Sequence, residues 1–362
     1  MQERPPEADT APDHDVAVAA RSFDESALVV TVLTVESITK NRQPVDVLRA
    51  MVARAYGTAR VPDGDGWAQE LGHGWFNVAY RIRLRDGELV VLKIAPPAGV
   101  EVMTYERDMM ATEVRALRLI RQRTSVPVPD VHFYDESREL CDADYFFMDY
   151  VDADNLGIVM DQLPPDEVAM YREALGALNQ ELHTITADHF GGLGYGDANA
   201  SWRTVFVGML EDVLRDGEHR AVDIGVGYDL VRAVIAAHAD SLDEVGVPVL
   251  VEWDMWESNV MIRDGRIVAV IDHERAFFGD RLMEAGFVAT GLPGFGDASA
   301  FTRGYGWSPS TGMEHARRRL YNLHLILIMV IETVYRGHTE PTQYDEARTR
   351  LLDLLAALGV GG

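Results

Sequence analysis

Asp254 and Asp272 each close an apolar run, and the residues between them carry the most suggestive chemistry in the chain. The first run, Val249-Leu250-Val251, leads through Glu252-Trp253 to Asp254, and Asn259 lies five residues on. The second closes as Val270-Ile271-Asp272. Both runs read as buried strands, so their ends can bring two carboxylates and an amide to one place. An aspartate beside a hydroxyl, with an amide and a second carboxylate on Mg²⁺, is what phosphoryl transfer from a nucleotide needs. The metal neutralises phosphate charge, and the first aspartate orients the nucleophile or accepts its proton. Either aspartate alone would read as a turn cap. The D-x-x-x-x-N spacing, followed by an apolar hairpin and Ile-Asp, favours the chemical reading.

That chemistry calls for a cation at the phosphates, and the chain holds only two lysines, Lys40 and Lys93. Lys93 sits in the apolar strand Val90-Val91-Leu92-Lys93-Ile94, where a buried ammonium requires a partner. Glu113 on the following helix is the expected partner, with Glu106 competing for the role. Upstream, Gly72 and Gly74 precede Asn77 and a strand, and glycine there lets backbone approach phosphates closely. The run is neither a Gly-Lys-Ser/Thr loop nor a complete G-x-G-x-x-G fingerprint. In this reading Lys93 is the site's only basic residue.

The elements that must position these groups fall into two parts. Val45 to Ala55 has helical spacing, Val78 to Leu84 and Leu89 to Ile94 read as a hairpin around Arg85-Asp86-Gly87-Glu88, a helix spans Arg107 to Arg123, and Tyr145 to Met148 returns to strand. After Asp149 the pattern is helical over 165–185, 202–214, 228–242, 315–335 and 344–358. One hairpin, Val260 to Ile262 and Ile267 to Ile271, interrupts it. The expected domains are a tail over 1–26, a β-rich N-terminal lobe over 27–148 and a helical lobe over 149–362. The Ala27 to Leu33 run is ambiguous between strand and helix.

Composition narrows the function classes. Against 58 Asp+Glu stand 33 Lys+Arg, a net charge of −25, which disfavours nucleic acid and anionic membranes as partners. It permits a cationic ligand or simply solubility. The 362 residues, 47% hydrophobic, suffice for a core, and Leu325 to Ile331 is too short to span a bilayer. The early residues are acidic and proline-containing, unlike a signal peptide. A single cysteine, Cys141, excludes internal disulfides and a cysteine-cluster zinc site and fits a reducing cytoplasm. No His-x-x-x-His pattern suggests zinc, and Ser258 lacks a nucleophile-elbow context. Trp253, Trp256, Phe277 and Phe278 read as packing. Asp280, Glu284 and Asp297 read as solvated surface residues, an acidic acceptor pocket being the alternative.

In order along the chain, Gly72, Gly74 and Asn77, then Lys93, Glu113, the Phe146 to Val151 connector, Asp254 with Asn259, and Asp272 resemble the aminoglycoside phosphotransferase family. Leu175 to His183 resembles its helix ending in Leu-His, and Ile271 to Asp280 its metal-binding segment. The similarity runs over roughly 45–335. It implies an α+β, bilobal protein-kinase-like fold and transfer of a γ-phosphate from ATP or GTP to a small-molecule hydroxyl, with a cationic, aminoglycoside-like acceptor fitting the charge. By the same resemblance Asp254 is the catalytic aspartate, Asn259 and Asp272 hold Mg²⁺, Lys93 binds phosphates, and the backbone of Asp149, Tyr150 and Val151 receives the base. Two departures stand out. Glu252 occupies the position where the family has histidine, and Arg281-Leu282-Met283-Glu284 replaces its usual Pro and later Asp. Glu252 motivates the rival expectation of a nucleotide-binding protein without transfer.

Overall fold

The computed structural model describes residues 37–72, 76–288, 297–338 and 341–359. The expected tail, the Ala27 to Leu33 run and Gly74 lie outside them. The first part of the fold is an antiparallel sheet of β1 (Ala68–Leu71), β2 (Val78–Arg83), β3 (Leu89–Ile94), β4 (Val131–Asp135) and β5 (Tyr145–Asp149), in the order β1-β2-β3-β5-β4. Strand β3 is apolar except for Lys93 because it is covered on both faces. Its alternate residues Val90, Leu92 and Ile94 pack with Leu48, Met51 and Val52 of α1 (Val45–Tyr56). Val91 faces the other way, with Met110, Val114 and Leu117 of α2 (Met109–Arg123). Lys93 shares the Val91 face by the period of two, and Glu113 shares the apolar stripe of α2 by the helical period. The two periodicities bring lysine and glutamate together.

Beyond the sheet come α3 (Leu156–Val159), α4 (Pro165–Leu182), α5 (Trp202–His219), α6 (Tyr228–His238), α7 (Ala285–Val288), α8 (Ser299–Tyr305), α9 (Gly312–Tyr335) and α10 (Thr342–Ala357). Helix α9 is the hub. It starts at a capping box of Thr311 and Glu314 and buries Leu320, Tyr321, Leu327 and Ile331. Each such side chain contributes about 1.5–3 kcal/mol. Among the described residues no helix is long and apolar enough to cross a membrane. Helices α4 and α8 cross closely enough that a Cβ on Gly176 would lie 2.0 Å from the Phe301 carbonyl oxygen, and one on Gly304 1.7 Å from that of Glu173.

Two small sheets carry the loops of interest. Strand β6 (Asp154–Asn155) pairs with β9 (Val260–Arg263), which pairs with β10 (Arg266–Val270) through a turn with positive φ at Asp264 and Gly265. Strand β11 (Phe277–Gly279) lies between β7 (Gly191–Gly192) and β8 (Val249–Val251). The aspartates of interest follow β8 and β10.

Candidate active site

Lys93 Nζ donates to Glu113 Oε1 at 2.8 Å and Oε2 at 2.7 Å, and to Asp272 Oδ1 at 2.8 Å. Burial would weaken the ammonium, but Asp272 and Glu113 outweigh it and hold the pKa well above the usual lysine range. The same contact works on Asp272: burial acts to raise its carboxyl, and Lys93 overrides this and lowers it. Lys93 thus ties the sheet, α2 and the segment after β10 to one another.

The Asp254 loop folds tightly on itself. Trp253 has φ of 59° and Asp272 φ of 69°, conformations rarely adopted outside glycine. Positions of that kind cost about 1–3 kcal/mol and persist where the surroundings over-determine them. Asp254 N–H donates to the Glu252 carbonyl at 2.7 Å, and Trp256 N–H to the Asp254 carbonyl at 3.0 Å. Asn259 Nδ2 donates to the same Asp254 carbonyl at 2.8 Å, and Ile271 N–H to the Asn259 carbonyl at 2.9 Å. This chain of bonds fixes Asp254, Asn259 and Asp272 relative to one another. Burial pushes the Asp254 carboxyl up, Arg275 Nη1 at 3.6 Å opposes it, and Asp272 adds to it.

Asp254, Asn259, Asp272 and Lys93 line one cavity of about 350 Å³, together with Asn77 and Arg275. With its amide N–H spent on Asp254, Asn259 presents its oxygen, so the free donors are an amide oxygen and a carboxylate. That hard-oxygen pair suits Mg²⁺, which takes few protein ligands. Glu113, Asp272 and Glu274 also bring carboxylate oxygens within 4.8 Å of one another. Lys93 takes both oxygens of Glu113 but only Oδ1 of Asp272, however, and Glu274 accepts a hydrogen bond from Asn77 Nδ2. Burial, with Asp272 beside it, pushes the Glu274 carboxyl up to about 8, so near neutrality it keeps a proton and is the poorer cation ligand.

Behind the cavity lies a buried polar chain. His273 Nδ1 donates to Glu252 Oε2 at 2.6 Å, and its Nε2 to the Val270 carbonyl at 3.0 Å. The Glu252 N–H donates to Glu284 Oε1 at 2.8 Å. His183 Nε2 lies 3.2 Å from that same oxygen, and His183 Nδ1 lies 2.7 Å from the Tyr305 hydroxyl. Glu252, His273 and Glu284 are 3%, 1% and 0% exposed.

Several expectations change. Glu106 is no competitor for Lys93: it falls in a turn before α2, because Asp108 at φ of 61° delays the helix to Met109, and it pairs with Arg336 at 2.6 Å. Asp280 and Glu284 are neither solvated nor part of an acceptor pocket. Asp280 is buried against Arg317 and Tyr321, at 3.0 and 2.7 Å, and Glu284 belongs to the polar chain. Lys93 is not the only basic residue, since Arg275 and Arg336 line the same cavity. Sequence reasoning missed both; Arg275, three residues after Asp272, was within reach of inspection, whereas Arg336 has no local signal. Asp149, Tyr150 and Val151 do not line this cavity. The Asp149 N–H is spent on the Asp130 carbonyl at 3.1 Å, and its carboxylate accepts from Asp130 N–H and pairs with His132. Asp149 and Val151 instead border a separate space of about 430 Å³ beside Pro127. Gly72 is a buried turn residue after β1. Asn77 begins the approach to β2, and its carbonyl accepts from Lys40 Nζ at 2.6 Å.

Residues 67–320 match the model of the phosphotransferase enzyme family. No protein with a curated description matches the chain. Among solved structures, a candidate fructosamine-3-kinase from Thermobifida fusca is similar at 23% identity and TM-score 0.62, with 88% of this chain and 100% of that one covered. A thermostable mutant of aminoglycoside phosphotransferase APH(4)-Ia, in ternary complex with AMP-PNP and hygromycin B, shares 20% identity at TM-score 0.57, covering 87% and 99%. Macrolide 2′-phosphotransferase MphH from Brachybacterium faecium shares 18% at TM-score 0.54, covering 85% and 98%. At these identities the likeness is one of fold, the bilobal kinase-like fold.

Proposed function

Since the chain belongs to the phosphotransferase enzyme family, we propose that it transfers the γ-phosphate of ATP, or of GTP, to a hydroxyl of a small molecule in a Mg²⁺-dependent reaction. The observation that carries this reading is the convergence of Asp254, Asn259, Asp272 and the Glu113-bound Lys93 on one cavity. Asp254 orients the acceptor hydroxyl and takes its proton, with its raised affinity for protons suited to the task. Lys93 holds nucleotide phosphates and Glu113 fixes the ammonium, while glycine at position 72 lets backbone approach them. Asn259 and Asp272 would hold the metal, which when bound supplies charge neutralisation at the phosphates. Arg275 adds a cation beside Asp254. The base would contact the connector at Tyr150 and Val151 and the Asp149 carbonyl. In this scheme the part up to residue 148 binds nucleotide and the part from 149 carries catalysis and the acceptor.

The net charge of −25 favours a cationic acceptor of the aminoglycoside kind. The complex of APH(4)-Ia with AMP-PNP and hygromycin B supports that analogy. A free Cys141 agrees with a reducing cytoplasm. The rival reading, nucleotide binding without transfer, draws on Glu252, yet Glu252 is turned to His273 and does not line the cavity. The test is nucleoside diphosphate release with Mg·ATP or Mg·GTP across aminoglycosides, macrolides, nucleosides, amino alcohols and ketosamines. Acceptor-stimulated release supports transfer. Tight Mg·nucleotide binding with no stimulated release across that range would favour the rival.

A further inference from the structure

Glu252 and His273 belong to different segments, and each stands within two residues of an aspartate in the cavity. Glu252 precedes Asp254 by two, and His273 follows Asp272 directly. Their side chains meet at 2.6 Å with 3% and 1% exposure, and the far nitrogen of His273 is anchored on the Val270 carbonyl at 3.0 Å. The two residues beside this pair, Trp253 and Asp272, are the ones with φ of 59° and 69°. Glu252 is held in turn by Glu284, and Glu284 by His183 at the end of α4. A carboxylate and an imidazole this deeply buried are costly unless paired, so removing either strands the other. One Glu252 carboxylate oxygen, Oε1, has no partner, which makes His273 the group that accounts for the side chain's burial.

We propose that the Glu252–His273 pair is a positioning latch that sets the distance between the Asp254 loop and the Asp272 segment, and so the geometry of the Asn259–Asp272 cation pair. This deepens the phosphotransferase reading and rests on it. The latch does not touch substrate; it acts through the backbones it joins. Breaking it leaves both aspartates present but lets their strained backbones relax independently, loosening the oxygens that must face one ion. Supporting residues of that kind change metal affinity by about 10–100-fold.

The experiment measures AMP-PNP affinity with and without Mg²⁺, together with thermal stability, for the wild type, Glu252→Gln, Glu252→Ala and the exchanged pair Glu252→His/His273→Glu. The latch predicts that Glu252→Gln reduces the Mg²⁺-dependent gain in affinity by about tenfold or more, with metal-free affinity within about twofold. The exchanged pair restores most of that gain, although neither position then carries its original residue. A purely structural role lowers thermal stability in all variants and leaves the Mg²⁺-dependent gain intact, which overturns the latch. It is overturned equally if the exchanged pair is folded and remains as defective as Glu252→Ala. Should Glu252→Ala not fold, Glu252→Gln and the exchanged pair decide. A wild type with no Mg²⁺-dependent nucleotide binding removes the phosphotransferase reading itself, and the latch with it, which separates the two failures.

Discussion

Asp254 and Lys93 are held by different kinds of force, and they should fail differently when replaced. Asp254→Asn keeps the shape and the backbone bonds of its loop while removing the proposed base. Turnover should fall by about 10²–10⁴-fold with AMP-PNP affinity little changed; steady-state rates and equilibrium binding measure the two separately. Lys93→Ala removes the ammonium that pairs the buried Glu113 carboxylate with the half-buried Asp272 carboxylate, beside the buried Glu274. Its unfolding free energy should drop by about 3–5 kcal/mol. Adding Glu113→Ala should recover part of that loss, because one of the stranded charges goes with it. Denaturant titrations of the single and double variants test this, and a double variant less stable than Lys93→Ala would contradict it. Lys93→Arg should not rescue nucleotide binding, since a planar fork cannot replace a compact ammonium between two carboxylates. Legibility at this scale followed distance along the chain. Asp254, Asn259 and Asp272 stood out because their spacing is short and each follows an apolar run. Asp280 and Glu284 were misread because their partners, Arg317, Tyr321 and His183, lie far away in sequence.

Helices and strands were legible where one periodicity dominated. The hairpin of β2 and β3 appears as expected except that β2 ends one residue early, at Arg83, and α9 runs from Gly312, three residues before the expected start, to the expected end at Tyr335. The expected helix at 107 begins at Met109 because Asp108 takes a left-handed conformation, which no apolar pattern announces. The short sheet of β7, β11 and β8 was invisible as a sheet, since strands of two or three residues have no period to read. Close helix contact was equally hidden: nothing in the local sequence marks Gly176 or Gly304 as contact positions before α4 and α8 are brought together. Gly176→Ala should lower stability by about 1–3 kcal/mol through overpacking against the Phe301 carbonyl. Thermal melts would show it, and an unchanged melting temperature would mean the crossing can widen. The tie between α1, β4 and β5 depends on pH. Burial acts to raise the Asp135 carboxyl, but hydrogen bonds from Ser137, Arg54 and Tyr145 outweigh it and hold it well below the usual range. A depressed folded pKa stabilises at pH above the unfolded value of about 3.8 and loses that contribution as pH falls further. Asp135→Asn should therefore be less stable than the wild type by a constant margin from pH 7 to about 4.5, and the margin should shrink below about pH 4.

Taken whole, the molecule is strongly acidic with a cleft that is locally mixed, Lys93, Arg275 and Arg336 facing Asp254, Asp272 and Glu274. A long-range field of this sign attracts cations, and salt screens it over about 8–10 Å near physiological strength. For a polycationic acceptor, kcat/KM should fall as ionic strength rises, and more steeply than for a neutral acceptor under the same conditions. Parallel slopes for the two would remove charge from the account of specificity. The same composition has a practical side, because a chain of 362 residues with two lysines is almost transparent to amine chemistry. Lys40 is half-buried against the Asn77 carbonyl and Lys93 is locked between carboxylates. Burial lowers the Lys40 ammonium pKa whereas Asp272 and Glu113 keep Lys93 protonated, so a nucleotide analogue bearing an acylating phosphate should label Lys40, on the carbonyl of the cavity residue Asn77, in preference to Lys93. The extent of that single modification, read by intact mass, would report occupancy of the cleft without any knowledge of the acceptor.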